Sequence, residues 1–176
     1  MIRKLILTFT LMTACGATLA AQTMDDFYPS QPSPYSGFRV GMLHVTGDIV
    51  PHMKSYYEMI TPTLTQIGWQ FDTKLRNLRP GLSLHLETGT MISGFEQDIA
   101  LPSISSIVNW RWSQGVELGT GLVLAPFGGL ALATSAGGII HFGKKPVPVN
   151  LMTAINDKTV AISVQFNLFT SAHQLK

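Results

Sequence analysis

Histidine is the side chain best suited to proton transfer and metal binding near neutral pH, and the chain carries five: His44, His52, His85, His141 and His173. A zinc site needs such ligands at close spacing, as in H-x-x-x-H, or paired with cysteines. Neither pattern occurs, and the single cysteine, Cys15, lies near the N-terminus. No metal and no cofactor is expected. Nucleophilic catalysis would call for a serine on a G-x-S-x-G elbow or a comparable constellation. "HVTGD" at 44–48 sets a histidine near a threonine and an aspartate but is too generic to count. "GTGLVLAPFGG" at 119–129 is rich in glycine yet opens no helix, so it is not a phosphate loop. His85 and His141, which the strand alternation below sets on the polar face, therefore read as hydrogen-bonded structural groups rather than catalysts.

A second kind of chemistry is the buried ion pair. In "WRWSQGVELGTGLVL", residues 110–124, apolar residues alternate on both sides of a Ser-Gln-Gly break, yet Arg111 and Glu117 sit inside the run. A three-residue hairpin loop at 113–115 would set Trp112 opposite Val116, Arg111 opposite Glu117 and Trp110 opposite Leu118. The two charges then share the face away from the tryptophans, where each would be costly alone. The same parity puts Arg39, Gln66, Asp72, His85, Glu87, Asn109 and His141 on that polar face.

The elements that must position these groups are strands. In "TVAISVQFNLF", Val160, Ile162, Val164, Phe166 and Leu168 share one face, and Ala161, Ser163, Gln165 and Asn167 the other. Equivalent splits recur near 37–45, 66–72, 82–87, 108–112, 116–124, 130–142 and 147–155, with turn signals between them. The pattern predicts an all-β fold, an antiparallel up-and-down barrel of eight strands over residues 37–169. Beyond residue 36 no segment of useful length has a helical period, Pro51–Ile60 being the one stretch that approaches it.

Composition decides which face is wet. Only 12% of residues are charged, 45% are hydrophobic and the mean hydropathy is +0.24. A soluble barrel with a greasy interior would carry abundant Lys and Glu on its outer face. Here the polar face is Ser, Asn, Gln, Gly and Ala with rare charges, which suits the crowded interior of a small barrel. The greasy face is then expected to meet lipid. Residues 1–21 read as a cleaved signal peptide: Arg3 and Lys4, then apolar Leu5–Ala14, then Thr18-Leu19-Ala20. Its loss takes the formal charge from +2 to zero, which gives no support for nucleic-acid binding. "LMTACG" loosely matches a lipobox, which would make Cys15 a lipidated N-terminus. Residues 22–36 are a polar, proline-rich linker and 170–176 a C-terminal tail.

Alternating strands collect Phe38, Trp69, Phe71, Trp110, Trp112, Phe142, Phe166 and Phe169 toward one rim, as in an interfacial aromatic girdle. In that reading Trp69 and Phe71 end the second strand, and Phe95 and Phe127 lie near the other rim. From its leader through "VAISVQFNLF" the chain resembles, in pattern, the eight-stranded outer-membrane barrels of Gram-negative bacteria. The resemblance implies an outer-membrane location, lipid as the surrounding partner and a structural, adhesive or surface-interaction role. Many such proteins end on an aromatic residue read by the insertion machinery, whereas here Phe169 is followed by "TSAHQLK". The loops at 46–61 and 93–100, with Tyr56, Tyr57 and Phe95, would carry any contact. Two alternatives stand beside it: a soluble periplasmic, lipocalin-like lipid carrier with the greasy face inward, and a lipid-modifying barrel enzyme. The sequence names no protein partner or ligand.

Overall fold

The computed structural model describes residues 35–126, 128–142 and 145–170. The leader with Cys15, the linker up to residue 34, Phe127 and the tail from residue 171 lie outside the described residues. The alternating runs form eight strands: β1 Gly37–Thr46, β2 Thr63–Arg79, β3 Leu82–Ser93, β4 Leu101–Trp112, β5 Glu117–Ala125, β6 Gly129–Phe142, β7 Lys145–Ile155 and β8 Val160–Thr170. Each pairs antiparallel with its chain neighbours, and β1 closes on β8. The register is strongly staggered. A line of partners that starts at Gly37, the first residue of β1, runs through Gln70, Gly89, Ser105 and Val123 to Ala131, near the opposite rim. Such stagger is the geometric condition for closing tilted strands into a small barrel.

The two rims differ. At the proximal rim β1 begins, β8 ends, and tight turns follow β2 and β4. The distal rim carries the long β1–β2 connection, the β3–β4 connection with a 3₁₀ turn at Phe95–Gln97, and short turns after β5 and β7. The β1–β2 connection contains helix α1, Ile49–Tyr57, with Pro51 in its first turn, where a missing N–H costs nothing. It ends at Glu58 in the left-handed region (φ 56°). Met53 is its buried residue and packs with inward-facing Leu43, Val45, Leu64 and Leu101. The helix thus covers one side of the distal mouth.

The aliphatic face of the alternation points out. Leu118, Leu122, Leu132, Leu151, Ile155, Ile162 and Leu168 are all exposed. The opposite face is buried and holds Arg39, Gln66, Asp72, Glu87, Arg111 and Glu117. A lipocalin-like arrangement needs the reverse orientation, and the folded chain does not have it.

Three boundaries depart from the sequence reading. β2 continues to Arg79, so Trp69 and Phe71 do not end it. Its pairing with β1 stops at Gln70, and from there the β2–β3 hairpin overhangs the rim with two bulges. Bulges and the exposed Lys74, Arg76 and Arg79 suit a half-paired strand, because charge and irregularity blunt an open edge. Second, Tyr35 and Ser36 are part of the barrel, not of a linker: Tyr35 is buried, and the Ser36 hydroxyl accepts from the Asp72 N–H at 2.8 Å. Third, His141 is exposed rather than interior. β5 pairs with β6 only as far as Gly137, so His141 lies on a β6–β7 overhang beyond the closed wall.

Candidate functional site

The proximal half of the lumen is organised by one guanidinium. Arg111 comes from the end of β4, Glu117 faces it across the β4–β5 hairpin, and Trp110 stands opposite Leu118. The Arg111 Nε donates to Glu117 Oε2 at 2.8 Å. Its Nη1 and Nη2 donate to the two Asp72 oxygens at 2.9 and 3.1 Å, a bidentate fork. Nη2 also reaches Glu87 Oε1 at 2.8 Å. One cation on β4 therefore ties carboxylates from β2, β3 and β5, and all four side chains are almost wholly buried. In a medium of low dielectric such a hub is strong when complete and costly when broken.

His85 extends it. The ring Nδ1 lies 3.2 Å from both Asp72 oxygens and 2.9 Å from Arg111 Nη1, and Nε2 lies 2.9 Å from Ser83 Oγ. A neutral imidazole has one donor nitrogen and one acceptor. Nδ1 thus either donates to the carboxylate or accepts from the guanidinium, and Ser83 complements either tautomer.

Tyr35 closes this end. The Arg111 guanidinium carbon sits 3.4 Å from the centroid of its ring, a close cation–π contact. Asn167 Nδ2 donates to the Tyr35 carbonyl at 3.0 Å. Burial pushes the Tyr35 phenol up to about 12, with the guanidinium pulling the other way and the carboxylates adding to the rise.

Room for these inward polar side chains is made by glycines on the adjoining strands. A Cβ at Gly137, the β6 partner of Glu117, would lie 2.5 Å from Glu117 Oε1. A Cβ at Gly119 would lie 1.7 Å from Asn109 Oδ1, the atom that accepts from Ser135 Oγ at 2.9 Å. Glycine is needed at both positions because a polar side chain from the facing or neighbouring strand fills the place.

Above the hub stands Arg39, with no exposed surface. None of its guanidinium nitrogens has a hydrogen-bond partner among the described residues. Gln66, further up, joins a chain of side chains: Gln165 Nε2 donates to Ser163 Oγ, Ser163 Oγ to Gln66 Oε1, and Gln66 Nε2 to Ser93 Oγ.

The interior residues named from sequence thus divide into Arg111, Glu117, Asp72, Glu87 and His85 in one cluster, and Arg39, Gln66 and Asn109 outside its direct bonds. Of the aromatic set, Trp69, Phe71, Trp110 and Phe166 are exposed on the outer face and Phe38 and Trp112 are half-buried. Phe38 pairs in register with Trp69 on one side and Phe169 on the other. For Phe142 and Phe169 only the backbone is described. Sequence reasoning missed Tyr35 as the stopper over Arg111, since nothing in a proline-rich stretch marks one tyrosine for burial. It also missed Gly137, for which a lone glycine inside a strand run is the available signal. The arrangement clamps β2, β3 and β5 to β4. No protein-family model matches the chain, and no curated protein is significantly similar to it.

Proposed function

We propose that the protein is an outer-membrane barrel, greasy face to lipid and closed to solutes at its proximal end, with a structural or surface-interaction role played at the distal rim. The observation that carries the reading is the inversion of an ordinary soluble core: aliphatic side chains stay exposed around the wall while five ionisable groups are buried together inside. Water gives such an outer surface no stabilisation, and hydrocarbon does. The hub and Tyr35 fill the width of an eight-stranded lumen, so bulk solute transport is not part of the role. The distal rim offers α1, with Tyr56 edge-on to Tyr57 and stacked with His52, and the exposed Phe95 as the contact surface.

The test is the mobility of membrane-extracted protein on a gel, boiled against unboiled in mild detergent. A faster unboiled band from the outer-membrane fraction supports the reading. One band at a single position, with the protein in the soluble periplasmic fraction, overturns it.

A further inference from the structure

The distal half of the lumen is built differently from the proximal half. Long charged side chains fill the proximal end, whereas the inward positions above them are small: Ala125 on β5, Ala131 and Ala133 on β6, Ala154 on β7 and Ala161 on β8. An eight-stranded barrel is just wide enough for ordinary side chains to fill. Where they shrink to alanine, serine and glycine, space remains. That space is an axial cavity of about 50 Å³, to which all eight strands contribute wall. Its sides are apolar, with Leu43, Val123 and Met152 among the alanines. Its floor is the hydrogen-bonded Ser163–Gln66–Ser93 chain, in which Gln66 bonds to both serines.

The mouth of the cavity is lopsided. Helix α1, with Met53 and Met59 buried beneath it, covers the β1–β4 side. On the β5–β8 side the wall ends at Gly128, Gly129, Asn156 and Thr159, the residues of two tight turns. Just outside that low wall the outer face is its greasiest: Leu130 and Leu132 on β6 and Ile155 on β7 are all at least half exposed. On this side Gly128 and Gly129 raise no side chain of their own, and the polar groups beside them are the Asn156 amide, which donates to the Gly128 and Leu130 carbonyls, and the Thr159 hydroxyl.

We propose that this cavity binds the methyl end of one linear alkyl chain, which enters over the Gly128–Gly129 turn. A slender, unbranched hydrocarbon fits the shape: the walls are mainly aliphatic, and the Thr159 hydroxyl, unpartnered among the described residues, stands at the mouth rather than along them. Entry from the surrounding lipid rests on the membrane reading above, whereas the cavity itself does not.

Ala136 makes the two separable. It is exposed on the outer face of β6, between Leu118 and Leu151, whereas Ala131, Ala154 and Ala161 line the cavity. The deuterated barrel, labelled with ¹³C-methyl alanine, is placed in protonated dodecylphosphocholine micelles, and NOEs from the detergent's terminal methyl are recorded. Contacts to Ala131, Ala154 and Ala161 as well as Ala136 are expected. Contacts to Ala136 alone overturn the cavity proposal and leave the outer face as the lipid surface. Contacts to the three interior alanines without Ala136 keep the cavity and overturn the membrane reading. Silence at all four overturns both. Ala154→Leu, which fills the space, should remove the contacts at Ala131 and Ala161 and keep that at Ala136. Repeating the measurement in phosphatidylcholine nanodiscs, with and without dodecanoate, separates a bilayer lipid chain from a free single-chain amphiphile as the source.

Discussion

Arg111 is the side chain on which the proximal half of the lumen turns, because three buried carboxylates share it. Arg111→Gln leaves those charges without their common partner, and the loss expected is about 3–5 kcal/mol. Urea unfolding in detergent, followed by tryptophan fluorescence, measures it. Arg39→Gln breaks no direct hydrogen bond among the described residues and should cost clearly less; equal losses would contradict the hub. Tyr35 adds a pH signature. Its phenol is held up to about 12 in the folded barrel against 10.0 when free. Above pH 10 the unfolded chain releases that proton and the folded chain keeps it, so this group's contribution to stability falls as pH rises. Tyr35→Phe removes the effect. The stability difference between wild type and variant should therefore move against wild type between pH 10 and about pH 12, read as unfolding midpoints in the same denaturant.

At the scale of the element, α1 is held by buried Met53 with Ile49, Val50 and Tyr57 packed beside it, and it ends in a strained conformation. Glu58 occupies a left-handed conformation that glycine adopts without strain. Glu58→Gly should stabilise the end of the helix by up to about 1 kcal/mol, visible as slower amide exchange across Ile49–Tyr57 while the strands are unchanged. Faster exchange there would show that the carboxylate matters more than the backbone. Strand faces were legible from the sequence because alternation is a local property: each residue's side follows from its neighbours two places away. The Arg111–Glu117 opposition was legible for the same reason, a three-residue loop setting the register of one hairpin. Partners from β2 and β3 were not, because their register passes through a long hairpin with two bulges. Nor was the exposure of His141, whose parity is inward but whose neighbouring strand has already ended. Parity assigns a face. It does not say how far a barrel wall extends.

The whole molecule predicts a dependence on depth. Leu122 and Leu118 both face outward on β5, with Leu118 nearer the proximal rim. If the wall stands in hydrocarbon, Leu122→Arg should cost about 2–4 kcal/mol and Leu118→Arg less, by equilibrium unfolding in lipid vesicles. Two equally neutral substitutions would mean that the outer face does not meet lipid.

The seam between β1 and β8 carries a consequence for time rather than stability. Gly37 pairs with Thr170, and Thr46 with Val160, so the last contacts to be specified join the two ends of the barrel sequence. Every other strand meets a partner made immediately before it. Closure must wait for a loop as long as the domain, and such distant pairing slows folding. Until it happens, β1 and β8 each present an unpaired edge, so a chain truncated before Val160 has no means of leaving that state. For as long as the seam takes to form, those two open edges are free to pair with other chains.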